Sequence, residues 1–417
     1  MRTAFQVGSV AFLFTLALNS IGIGRVSALE LSPAWEIKLT ADDPVSGAEF
    51  GRSVAIDGDL VAVGAGGANA GLAGSPGKEG AVYLFKRRGL AYVPEAKLIA
   101  PDATTGAEFG RAVAIQGNTV IVGARFAQVE GYSKAGAAYV FRKKGRTWYL
   151  ETKITSPTPE NEDNFGRALA IHGDLLVVTA RKENINASDV GAAYVFRHVA
   201  NSWIEEAKLT GSDAAAGAYF GQSVAVRGDL IVVGARNANP NGAGAIYLFL
   251  RSGDQWVESA KLFPPDGEAD DQFAFTVDIA GNLIVVGARR ADLEGAKDAG
   301  AVYLFALTGD EVNLVSKLTA SDAKAGDEFG QSVAMAGDVI AVGAWRVDSG
   351  ANKNEGAVYL FHRMGNHWVE EEKVTASDGV AGDEFGSSLS AFGNIMVIGA
   401  HFANSTAGAA YVMPLEP

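Results

Sequence analysis

Five arginines, Arg125, Arg181, Arg236, Arg289 and Arg346, open comparable loops along the sequence, with Gly66 and His401 opening two more. A guanidinium presents a planar fork of donors that fits carboxylate geometry, so such a set points to anion contacts. A second set of loops carries acids: Asp42, Asp43, Asp102, Asp163, Asp213, Asp266, Asp270, Asp271, Asp322, Asp327, Asp378 and Asp383. Recurring at equivalent positions, the two sets are placed to pair across repeats as a structural ring. The other reading is a polar ligand site made from the same groups.

Exceptions to the recurrence are more informative about ligands than the recurrence itself. Trp345, just before Arg346, supplies an aromatic that could stack on a sugar ring or anchor a protein partner. Phe126, Tyr132 and Phe402 occupy comparable loops, where covering loop backbone is the plainer explanation. The ligand-binding candidates are therefore Trp345, Arg346, Arg125, Phe126, Arg236, Arg289 and His401. Asp266, Glu268, Asp270 and Asp271 are dense enough in carboxylate for a hard cation, but their spacing matches no strong calcium motif. For catalysis there is no His-x-x-x-His pair, no Gly-x-Ser-x-Gly elbow and no phosphate-cradling loop. A glycoside-cleaving pair of loop carboxylates stays open, because sequence does not reveal their separation.

What positions these residues is a repeat. A stretch like Glu328 to Ala344 occurs seven times, led by Phe50, Phe109, Phe165, Phe220, Phe273, Phe329 and Phe385 at spacings of 53 to 59 residues. A Tyr in the second landmark of each copy follows at Tyr83, Tyr139, Tyr194, Tyr247, Tyr303, Tyr359 and Tyr411. Within a repeat, alternating or β-branched runs flank a Gly-Asp or Gly-Asn turn, such as Gly337-Asp338, where glycine supplies the positive φ of a tight hairpin. A longer loop, a third strand and a fourth complete the unit, with no helical period. Four antiparallel strands per repeat is the content of a propeller blade. The last repeat ends on its third strand, and Glu36 to Ala41 near the other end matches the missing fourth. An all-β, seven-bladed propeller closed by its N-terminal strand follows, because closure removes two sheet edges. Three departures mark possible irregularity: Trp35 out of step at the seam, Phe273-Ala274 in place of Phe-Gly, and Thr179 in place of glycine.

Residues 1–28 read as a cleaved secretory signal ending Val26-Ser27-Ala28, leaving residues 29–417 as one propeller domain. Its apolar core is shorter than the ~20 residues a membrane helix needs. The expected location is secreted, periplasmic or cell-surface, with no membrane span after cleavage. The mature chain carries 33 basic against 48 acidic residues, about −15, which argues against nucleic acid and anionic membranes as partners. No cysteine is present, so neither disulfides nor thiolate sites are available. Asn186 and Asn404 begin glycosylation sequons, meaningful only in a eukaryotic secretory route.

The Phe-Gly heads and the Gly-Ala landmark resemble the FG-GAP repeats of the integrin alpha-subunit propeller, and more closely exported microbial proteins built from such repeats. The resemblance implies ligand recognition on the face carrying the second-to-third-strand and inter-blade loops. In integrins a calcium loop, Asp-x-Asn-x-Asp-Gly-x-x-Asp, joins the first and second strands. Short turns stand there in every repeat of this chain, so calcium at that site is not carried over and no cofactor is expected. The leading expectation is a non-enzymatic binding or adhesion propeller for a protein or carbohydrate. The alternatives are a polysaccharide-acting enzyme using loop carboxylates and a purely structural envelope scaffold.

Overall fold

The computed structural model describes residues 36–415 except 72–76, 214, 239–240 and 310. The secretory-signal reading and Trp35 fall outside these residues. Each blade is a four-stranded antiparallel sheet, with its strands in sequence order in the first six. First strands run Phe50–Asp57, Phe109–Gln116, Phe165–His172, Phe220–Arg227, Phe273–Ala280, Phe329–Ala336 and Ser388–Phe392. Second strands such as Leu60–Ala65 and Val339–Ala344 are buried at every residue, as continuous apolar runs packed on both faces should be.

Blade seven closes the ring as the sequence implied. Ile37–Leu39 pairs antiparallel with Ala409–Pro414, and Lys38 faces Tyr411 as Lys97 faces Tyr83 in blade one. In the other six blades the third-to-fourth ladder carries a register shift beyond three such pairs, for example between Leu84 and Phe85. The seam strand supplies only the three pairs on the near side of that shift.

The leading phenylalanines explain why the repeat is spelled as it is. All seven are at most 2% exposed, and each packs on the tyrosine of its own third strand at 5.3 to 5.5 Å between ring centres. The same clusters reach into the preceding blade: Phe50 and Tyr83 share a core with Leu39, Val397 and Val412 across the seam. Truncating such a ring in a well-packed core typically costs about 3–5 kcal/mol. Gly80 sits at φ +96, and a Cβ there would stand 2.0 Å from the Phe109 carbonyl oxygen of the next blade. Close blade-to-blade approach therefore demands glycine.

Of the expected irregularities, one is present. Thr179 in place of glycine removes the Ala168 pairing, and its Oγ1 instead accepts from the Ala168 amide at 3.0 Å. Ala274 adopts φ 66 at the position glycine holds elsewhere, and blade five keeps the register of its neighbours.

Candidate functional site

On the face of the second-to-third-strand and inter-blade loops, the axial channel opens into a cavity of about 540 Å³. Two side-chain columns line its mouth. The inner column is the residue after Phe-Gly: Arg52, Arg111, Arg167, Gln222, Phe275, Gln331 and Ser387. The outer column is the residue after the second strand, of which Arg125, Arg181, Arg236, Arg289 and Trp345 line the cavity. Trp345 itself is thus the blade-six counterpart of Arg289, and Arg346 stands one place further on, level with Arg290. The five arginines grouped by sequence are not one ring, because Trp345 holds the blade-six position directly after the second strand and Arg346 is the next residue.

A third column controls how these cations are balanced. The residue before each Phe is Glu49, Glu108, Asn164, Tyr219, Gln272, Glu328 and Glu384, each with φ between 53 and 59. Arg125 donates to Glu108 from Nε and Nη2 at 2.6 and 3.2 Å, and Arg111 lies 3.6 Å from the same carboxylate. Glu328, only 3% exposed, takes Arg289 at 3.2 Å, Arg346 at 3.1 Å and the Trp345 Nε1 donor at 3.0 Å. Arg290 stands 3.9 Å away.

Blades three to five carry no such carboxylate. Arg181 donates to the Gln222 side chain at 3.1 Å and lies 5.2 Å from the Tyr219 ring centre; Arg236 covers the same ring at 4.9 Å. Arg167 has no hydrogen bond or ion pair among the described residues, and the buried Nε atoms of Arg167, Arg181 and Arg236 are unpartnered. Burial depresses the Arg167 guanidinium well below its ordinary range, followed by repulsion from Arg111, Arg181, Arg125 and Arg52. Arg181 is pushed down to about 10, by burial first and then by Arg236 and Arg125.

The remaining candidates separate. His401 is fully buried below the face rather than presented on it. Its Nε2 accepts from Arg52 Nη1, so Nδ1 carries the proton and donates to Ser387 Oγ at 2.9 Å. Burial and Arg52 hold its pKa far below the ordinary value. Arg346 is exposed, at 43% of its side chain, and Trp345 stacks on His401 at 6.1 Å with Arg346 at 5.1 Å from its ring centre. Phe126 lies outside the mouth, between Arg125 and Lys134, beside a groove with Thr104 and Thr105.

The acidic set does not pair with the arginines. Asp43, Asp102, Asp213, Asp266, Asp322 and Asp378 each accept from a third-strand tyrosine hydroxyl at 2.6 to 2.8 Å and from a fourth-strand lysine at 2.5 to 2.7 Å. The recurring Asp-Tyr-Lys group fastens each inter-blade loop to its blade. In blade three Glu183 replaces the aspartate. Asp163, Asp271, Asp327 and Asp383 close turns by accepting an amide three residues back. Asp266 and Asp271 are thereby committed to separate partners. Among the described residues no group of three or more acids and histidines is gathered for a metal ion.

Sequence reasoning overlooked Arg52, Arg111 and Arg167, although the Phe-Gly-Arg spelling of the first three repeats was the signal. No described helix is long and apolar enough to cross a membrane. The FG-GAP repeat family matches residues 35–85, 92–141, 148–196, 203–249, 256–305, 312–361 and 368–413. No curated protein matches the chain.

Proposed function

Since the chain belongs to the FG-GAP repeat family, we propose that it is an exported, non-enzymatic binding propeller whose loop-rich face engages a protein or carbohydrate partner, in adhesion or envelope organisation. One observation carries this reading. Phe, Tyr, Lys and the short hairpin turns recur around the ring, whereas the columns at the mouth differ from blade to blade. Packing explains a recurring residue; an asymmetric cavity of ligand size is what a recognition site requires. Glu328 itself is committed to structure, since both its oxygens are engaged by Arg289, Arg346 and Trp345.

Glycan arrays and pull-downs from the protein's own surroundings test it, with Trp345→Ala and Arg346→Ala in parallel. Capture by the parent that weakens in the variants supports the reading. No capture, or capture indifferent to both substitutions and to blocking of the loop-rich face, overturns it.

A further inference from the structure

Resting on that reading of the face, we propose that the mouth is an anion site, built to take a compact ligand bearing two or more oxyanionic groups between Arg111, Arg167, Arg181 and Arg236. Arg167 stands among four other guanidinium groups and meets no carboxylate among the described residues. A buried lysine could shed its proton to escape such repulsion; an arginine keeps its charge at neutral pH. Among the described residues Arg236 is held by the Tyr219 ring alone, and Arg181 by that ring and a neutral amide. These guanidinium groups line the cavity with hydrogen-bonding capacity unspent, which favours an acceptor-rich guest.

The chain as a whole is at −13, so a cationic mouth is not a by-product of a basic protein. A long polyanion would be repelled by the surrounding acidic surface, whereas a concave cationic site focuses attraction onto what fits inside it. About 540 Å³ suits a small molecule or a charged end-group. Carboxylate, phosphate and sulfate groups all match a guanidinium fork, and the probes below separate these sources.

Calorimetry on the full protein at low ionic strength uses three probes: citrate, inorganic pyrophosphate and inorganic sulfate. Citrate or pyrophosphate is expected to bind at one site per chain, at least tenfold more tightly than sulfate. Heat from citrate alone assigns the site to carboxylate ligands, and heat from pyrophosphate alone to phosphate ligands; both support the proposal. Arg167→Gln and Arg236→Gln should each weaken that binding about tenfold, the loss of one charge-assisted contact. Arg363→Gln, on the opposite face, should leave it unchanged. Circular dichroism confirms that the variants fold. No heat from either multivalent anion, or binding that survives both mouth substitutions, overturns the site. Anion binding without any partner capture would sink the partner reading alone, and capture without anion binding would sink this one alone.

Discussion

The two sides of the mouth solve the same electrostatic problem differently. On blades one, two and six, the residue before the phenylalanine is a glutamate that takes up neighbouring guanidinium groups: Glu49 near Arg52, Glu108 with Arg125 and Arg111, and Glu328 with Arg289 and Arg346. On blades three to five it is Asn164, Tyr219 or Gln272, and among the described residues Arg167, Arg181 and Arg236 of blades three and four meet no carboxylate. The backbone is the same in both cases, with that residue at positive φ. What differs is only whether the counter-charge is part of the chain or must come from outside.

The largest test removes a built-in counter-charge. Glu328→Gln strands Arg289, Arg290 and Arg346 around a neutral amide. Unpairing a buried charge network costs about 3 kcal/mol, which equilibrium urea unfolding would show as a lower midpoint. Full parental stability would mean that the glutamates are not balancing the ring.

Adding a counter-charge is the converse. Asn164→Glu should stabilise the fold by about 1 kcal/mol by meeting Arg167 and Arg181, and glutamate already occupies this conformation in four other blades. The same substitution should abolish anion binding. A stabilised variant with undiminished anion affinity would show that the guest sits elsewhere.

A pH effect separates the sides further. Burial, with Glu328 and Glu49 nearby, pushes Glu384 up to about 7 despite Arg52 and Arg346, and its buried Oε2 makes no hydrogen bond, standing 3.4 Å from His401 Nε2. An acid raised in the folded state stabilises fully below its unfolded pKa, and that contribution is lost as pH rises through about 7. Glu384→Gln should therefore match the parent near pH 4.5 and exceed it by about 1 kcal/mol at pH 8. Melting curves across that range check it; a constant difference at all pH values would refute the assignment. The smallest effect belongs to Arg346→Ala, expected below about 0.5 kcal/mol because the side chain is 43% exposed.

The fold was legible because its determinants recur. Seven phenylalanines, seven tyrosines and the Gly-Asp or Gly-Asn turns leave little freedom in blade number, strand order or closure. The site was legible only in part. Arg125, Arg236, Arg289 and Trp345 were singled out and do line the cavity, but Arg52, Arg111 and Arg167 were hidden inside a motif that reads as blade construction. The error in pairing arginines with aspartates had a physical cause: spacing showed both sets on one face, yet not that lysine and tyrosine reach the aspartates first. His401 looked exposed because it follows a strand, whereas packing against Phe402, Trp345 and Ser387 buries it.

The mouth arginines of blades three and four, Arg167, Arg181 and Arg236, lack a counter-charge among the described residues, and the ligand supplies it. The most direct measurement is the melting temperature of the parent and of Asn164→Glu in citrate, against sodium chloride of equal ionic strength. Citrate should raise the parent's melting temperature, as a ligand bound only by the folded state must, and should leave the variant within error of its value in chloride. Equal behaviour of the two proteins in citrate would contradict the account.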